Sequence, residues 1–80
     1  GLALAYEAMK QGGNIPTAYN AANEKAVSLF LDRKIAYPQI TEFIEACMEE
    51  AHYIANPNVD EILGTEAAAY EFIERKMQTR

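Results

Sequence analysis

The sequence predicts an all-α fold, a small four-helix bundle spanning residues 1–80 as one domain. Three observations carry that prediction. Ala, Leu, Glu and Met are abundant, and these side chains lose little freedom in a helix. Apolar residues recur at spacings of three and four rather than two. Three breaks, at Gly12–Gly13, at Ile35–Tyr37 and at Asn56–Pro57–Asn58, divide the chain into four such segments.

The first segment, Leu2 to Gln11, is dense in Leu, Ala and Met, and Gly12–Gly13 ends it as a C-cap does. Asn14 is a candidate cap for the second, with Pro16 suited to a first helical position. That helix is predicted over Thr17–Lys34, with Tyr19, Ala22, Ala26, Leu29 and Phe30 on one face and Arg33–Lys34 in its last turn. Pro38 opens the third helix, whose pattern is the clearest. Ile40, Phe43, Ile44, Cys47, Met48 and Ala51 form one stripe, and Glu42, Glu45, Glu49 and Glu50 lie away from its centre. Asn58 with Glu61 reads as a variant capping box for the fourth, with Asp60 adding negative charge to the first turn. This helix is predicted to run to about Met77, with a kink at Gly64–Thr65 where Thr65 serves as a fresh cap. Its buried face is expected to be Ile62, Leu63, Ala69, Tyr70, Ile73 and Met77.

Composition narrows the function classes. Half of the 80 residues are apolar or aromatic, enough for a core and too many for disorder. The formal net charge is −5, and the seven Lys and Arg are dispersed. A nucleic-acid binder needs a cationic stripe to displace phosphate counterions, and an anionic membrane surface repels an acidic chain. Neither partner is expected. No apolar run approaches the roughly 20 residues of a membrane span. The single cysteine, Cys47, has no internal disulfide partner, which points to a reducing compartment. The opening at Gly1, directly into helical sequence, reads as a piece of a longer protein.

Each chemically capable residue has a structural reading. Glu49-Glu50-Ala51-His52 contains one Glu-x-x-His, but dimetal bundles need two such motifs plus carboxylates from two further helices. His52 is expected as a solvated histidine at a helix end. Cys47 sits mid-helix on the apolar stripe and reads as core. Ser28 has no base partner, and Gly12–Gly13 lacks the spacing of a phosphate-cradling loop. No catalytic, cofactor-binding or metal-ligating residue is therefore assigned. Asn20-Ala-Ala-Asn23-Glu24 stands apart, since two asparagines inside a helix compete with its backbone for hydrogen bonds. Asn20, Asn23 and Glu24 share one face, either as a solvated surface or as a hydrogen-bonded structural or docking patch.

At this segment a family resemblance emerges. Leu2-Ala-Leu-Ala-Tyr6-Glu7-Ala, Gly12-Gly13, Pro16 and Asn20-Ala-Ala-Asn23-Glu24-x-Ala26-Val27 resemble the C-terminal domain of the 1-deoxy-D-xylulose 5-phosphate reductoisomerases. The likeness continues through Phe30-Leu31, Lys34-Ile35-x-Tyr37, Ile40-x-x-Phe43-Ile44 and Asn58-Val59-Asp60-Glu61-Ile62-Leu63. There are departures. Lys25 stands where the family commonly has an apolar residue, placing a charge at the edge of a buried face. Glu66 and Tyr70 stand where its last helix often carries an Asp and, four residues on, an Arg that could pair with a neighbouring domain.

The resemblance implies a parent enzyme of the bacterial cytoplasm that isomerises and reduces 1-deoxy-D-xylulose 5-phosphate to 2-C-methyl-D-erythritol 4-phosphate in non-mevalonate isoprenoid synthesis. NADPH and Mg or Mn serve it, on domains upstream of this one, and it works as a homodimer. The family's catalytic motifs match nothing in these 80 residues, so the resemblance implies a non-catalytic structural domain whose partner is the upstream catalytic domain of the same polypeptide. The alternative is a free-standing acidic helical module for protein interaction.

Overall fold

The computed structural model describes residues 2–79, which form four helices with no strand among them. These are α1 (Leu2–Gln11), α2 (Ile15–Leu31), α3 (Tyr37–Glu50) and α4 (Val59–Gln78). The all-α bundle predicted from the pattern is the observed fold. α2 lies at its centre and packs against all three other helices. Its inner face explains why. Ala18, Ala21, Ala22 and Ala26 are buried there, and side chains this small let three neighbours approach one helix closely. The neighbours supply the bulk, with Phe43, Ile44 and Met48 from α3 and Ile73 from α4.

The helix ends follow local chemistry, with four differences from the sequence expectation. First, α2 spans Ile15–Leu31 rather than Thr17–Lys34, starting two residues earlier and stopping three earlier. Arg33 adopts a left-handed φ of 61°. Its N–H donates to the Phe30 carbonyl and that of Lys34 to the Leu29 carbonyl, both at 2.9 Å. This is a Schellman closure, and it turns the chain so that Ile35 enters the core at 7% exposure. The two cations thus form the reversing turn instead of the last helical turn. The exposed Tyr37 ring then meets Phe30 edge-on, with centroids 5.6 Å apart.

Second, α3 begins at Tyr37, one residue before Pro38. The Gln39 side chain accepts from the Ala36 N–H at 2.6 Å. Ala36 has no side-chain acceptor, so only this half of a capping box is made. Third, α3 ends at Glu50, leaving His52 exposed in an irregular segment rather than at a helix end.

Fourth, α4 runs unbroken through Gly64–Thr65. The Thr65 hydroxyl donates back to the Glu61 carbonyl at 2.8 Å, so it supports the helix instead of starting a new one. Its capping box is present as expected. The Asn58 side chain accepts from the Glu61 N–H at 2.8 Å, and Glu61 accepts from the Asn58 N–H at 2.9 Å. The buried face of α4 is shifted, however, toward Ala69 and Ile73, while Ile62 and Leu63 are 38% and 57% exposed. The cross-helix contacts give the reason. The N-terminus of α2 meets α4 at Thr65, so residues 59–64 overhang the helix they would otherwise pack on.

Gly64 occupies an ordinary helical position, and a Cβ added there meets nothing within 4 Å. Glycine in a helix interior costs about 1 kcal/mol relative to alanine. Gly64→Ala is therefore expected to raise the unfolding free energy by roughly that amount, read as a higher urea midpoint at unchanged slope.

Candidate functional site

Among the described residues the one buried polar residue is Asn14, at 1% exposure. It occupies the cap position of α2, but its side chain makes no capping bond. Its amide nitrogen donates instead to the His52 carbonyl at 2.7 Å and to the Thr65 hydroxyl at 2.9 Å. Its amide oxygen accepts from the Ile54 N–H at 2.8 Å, and its own N–H donates to the Ile54 carbonyl at 3.0 Å. One side chain thus ties the start of α2 to the irregular segment after α3 and to the middle of α4. Every polar atom of the amide is engaged at low exposure, where an unpaired one is costly.

Gly13 makes this clasp geometrically possible. It sits at φ +58°, and the Cβ of any other residue would lie 2.3 Å from the Ile54 carbonyl oxygen. Gly12 has the same backbone hand at φ +70° with open space around it. The Gly-Gly pair ends α1 as expected, and its second member also brings two backbone segments into contact.

Beside the clasp lies a groove of about 380 Å³ between α3, the 51–54 segment and α4. Ala18, Ala51, Ala68 and Phe72 line it together with Glu50, Glu61 and Arg75. Two of the polar groups here are committed. The Thr65 hydroxyl is both donor and acceptor in the clasp, and Glu61 is held by its capping box. Burial pushes the Cys47 thiol up to about 11, so near neutral pH it has almost no thiolate character. Native protein is expected to resist thiol alkylation at pH 8, with labelling following unfolding. The pH dependence has a definite sign. The folded state holds the Cys47 proton more tightly than the unfolded state, so this contribution is complete below pH 9 and is lost as pH rises toward 11. Cys47→Ala should remove that slope.

The predicted patch lies on the outer side of α2. Asn20 and Glu24 are exposed and Asn23 is half-buried. Glu24 accepts from the Tyr70 hydroxyl at 3.1 Å, so two of the positions marked by sequence meet across α2 and α4. Desolvation and the Glu24 carboxylate together raise the Tyr70 phenol above its ordinary value. One turn along, Lys25 pairs with Glu74, and that bond and charge hold the Glu74 carboxyl below its usual range. The Lys25 charge at the edge of the buried face therefore has a partner within the bundle.

Sequence reasoning read Asn14 only as a cap and so missed its role. The local signal was misleading, since asparagine ahead of a helix is the ordinary capping residue. The partners that redirect it lie 38 to 51 residues away.

These features define a class: an all-helical domain whose one buried polar side chain among the described residues ties its own segments together. The chain belongs to the DXP reductoisomerase C-terminal domain family, whose model matches residues 1–72. It is 62% identical over 76 residues to the 1-deoxy-D-xylulose 5-phosphate reductoisomerase of Agathobacter rectalis, covering 95% of this chain and 20% of that protein. The reductoisomerase of Lachnospira eligens is 57% identical over 76 residues, with the same coverage. That of Clostridium novyi is 45% identical over 76 residues, again covering 95% and 20%. The chain thus spans about one fifth of the length of the curated relatives it matches.

Among the described residues no group of three or more His, Cys, Asp or Glu side chains is placed to hold a metal ion. The space above Gly13, where a glycine loop would admit a phosphate, is filled by the Ile54 carbonyl. Among the described residues no helix is long and apolar enough to cross a membrane.

Proposed function

We propose that this domain is the non-catalytic helical support of a full-length 1-deoxy-D-xylulose 5-phosphate reductoisomerase. Its parent acts in the bacterial cytoplasm as a homodimer. It converts 1-deoxy-D-xylulose 5-phosphate to 2-C-methyl-D-erythritol 4-phosphate with NADPH and Mg or Mn bound on upstream domains. The observation that carries this reading is the match of nearly the whole chain to a fifth of such enzymes in several bacteria. The domain's contribution is rigidity, because catalytic groups held slightly out of place lose much of their rate.

The test uses the full-length polypeptide that contains this domain. With 1-deoxy-D-xylulose 5-phosphate, NADPH and Mg, it is expected to oxidise NADPH and release 2-C-methyl-D-erythritol 4-phosphate. The 80-residue domain alone should leave NADPH absorbance unchanged. Turnover by the isolated domain, or none by the full-length chain, would overturn the proposal.

The Asn20, Asn23 and Glu24 patch is proposed to dock the bundle on the catalytic domain or to fix its internal geometry. Replacing Asn20 and Asn23 together by alanine in the full-length enzyme should lower its melting temperature or its turnover. Among the described residues neither asparagine side chain bonds within the bundle, so the expected cost is about 1 kcal/mol for each hydrogen bond to the catalytic domain that is lost. An enzyme that melts and turns over as before has no such patch.

A further inference from the structure

α1 is apolar on two opposite sides. Ala8 is buried against the bundle and Leu4 packs beside it. Leu2, Tyr6 and Met9 are 88%, 72% and 72% exposed. Their spacings of four and three residues place them on one stripe, on the side of the helix away from Ala8. Glu7, Lys10 and Gln11 share one polar sector between the two, so the exposed stripe is an apolar face of its own, of the kind that marks a contact surface. Yet among the described residues α1 contacts only α2 and α3.

We infer that the Leu2–Tyr6–Met9 stripe of α1 is the face on which this domain seats against the remainder of its own reductoisomerase polypeptide. The inference rests on the function proposed above. Two observations choose this occupant. The chain spans only a fifth of the length of its relatives, so a parent of that size supplies a large tethered partner. A tethered surface needs little intrinsic affinity, because its effective concentration is high. The domain also carries a net charge of −5, which sets two copies of it against each other. The complementary surface is apolar, with a hydrogen-bond partner at its edge for the Tyr6 hydroxyl.

Hydroxyl-radical footprinting of the full-length enzyme tests this, with reductoisomerase turnover measured on the same preparation. Tyr6 and Met9 are expected to label several-fold more slowly than in the unfolded chain, to an extent that does not change on dilution. Labelling at rates matching their open exposure in the isolated bundle would overturn the inference. So would protection that disappears on dilution, which would make a second copy the cover. Turnover with free labelling refutes the seating alone, whereas absence of turnover refutes the parent function and the seating with it.

Discussion

Replacing Asn14 by alanine should lower the unfolding free energy of the domain by about 3 kcal/mol, from three side-chain hydrogen bonds at roughly 1 kcal/mol each. Domains of this size have a net stability of only about 4–12 kcal/mol, so the variant should show a much lower urea midpoint. The mechanism makes a sharper comparison possible. Asn14→Asp keeps the shape but cannot donate to the His52 carbonyl or the Thr65 hydroxyl. At neutral pH it also buries an unpaired carboxylate, and it should be at least as damaging as alanine. Its defect should ease in acid. A carboxyl in this position titrates above its unfolded value, so the folded state takes up the proton first and stability recovers as pH falls. Protonation also restores one donor. An alanine variant that unfolds with the wild type, or an aspartate variant without this recovery, would show that the clasp does not hold the bundle.

Gly13→Ala should be nearly as severe, at about 2–3 kcal/mol. Part of that is the left-handed φ of +58°, which costs a residue with a Cβ about 1–2 kcal/mol. The rest arises from the Cβ position 2.3 Å from the Ile54 carbonyl oxygen, too close for any real contact. The ring of Tyr53, 2.9 Å away and half exposed, can swing aside. The Ile54 backbone can move only by giving up its 3.0 Å bond from Asn14. Gly12→Ala is the control. It has the same backbone hand and no neighbour within 4 Å, so it should cost only about 1–2 kcal/mol, the strain alone, and less than Gly13→Ala. Equal losses in the two variants, read from denaturant midpoints, would mean that the close approach carries no energy.

Both predictions concern residues whose local reading was correct in kind and incomplete in consequence. Gly12–Gly13 ends α1, and Asn14 stands where a cap belongs, as the order of residues foretold. Nothing within a few residues of Gly13 indicates that Ile54 lies against it. Thr65 is similar. Its hydroxyl and the glycine before it read as a break, yet that hydroxyl bonds back to Glu61 and is held by Asn14, so the helix continues. The patch at Asn20, Asn23 and Glu24 was legible as polar positions on one face, and the Glu24–Tyr70 bond across to α4 was not.

Helix number, the α3 stripe and the α4 capping box were settled by the sequence itself, because each depends on contacts among residues three or four apart. Family membership was legible too, in short runs of matching residues along most of the chain. Only the tertiary structure decided which face of α4 is buried, where α2 ends and what Asn14 binds. Those outcomes depend on where α2 meets its neighbours. That register is set by the close approach of alanine faces and one glycine, between residues far apart in the chain.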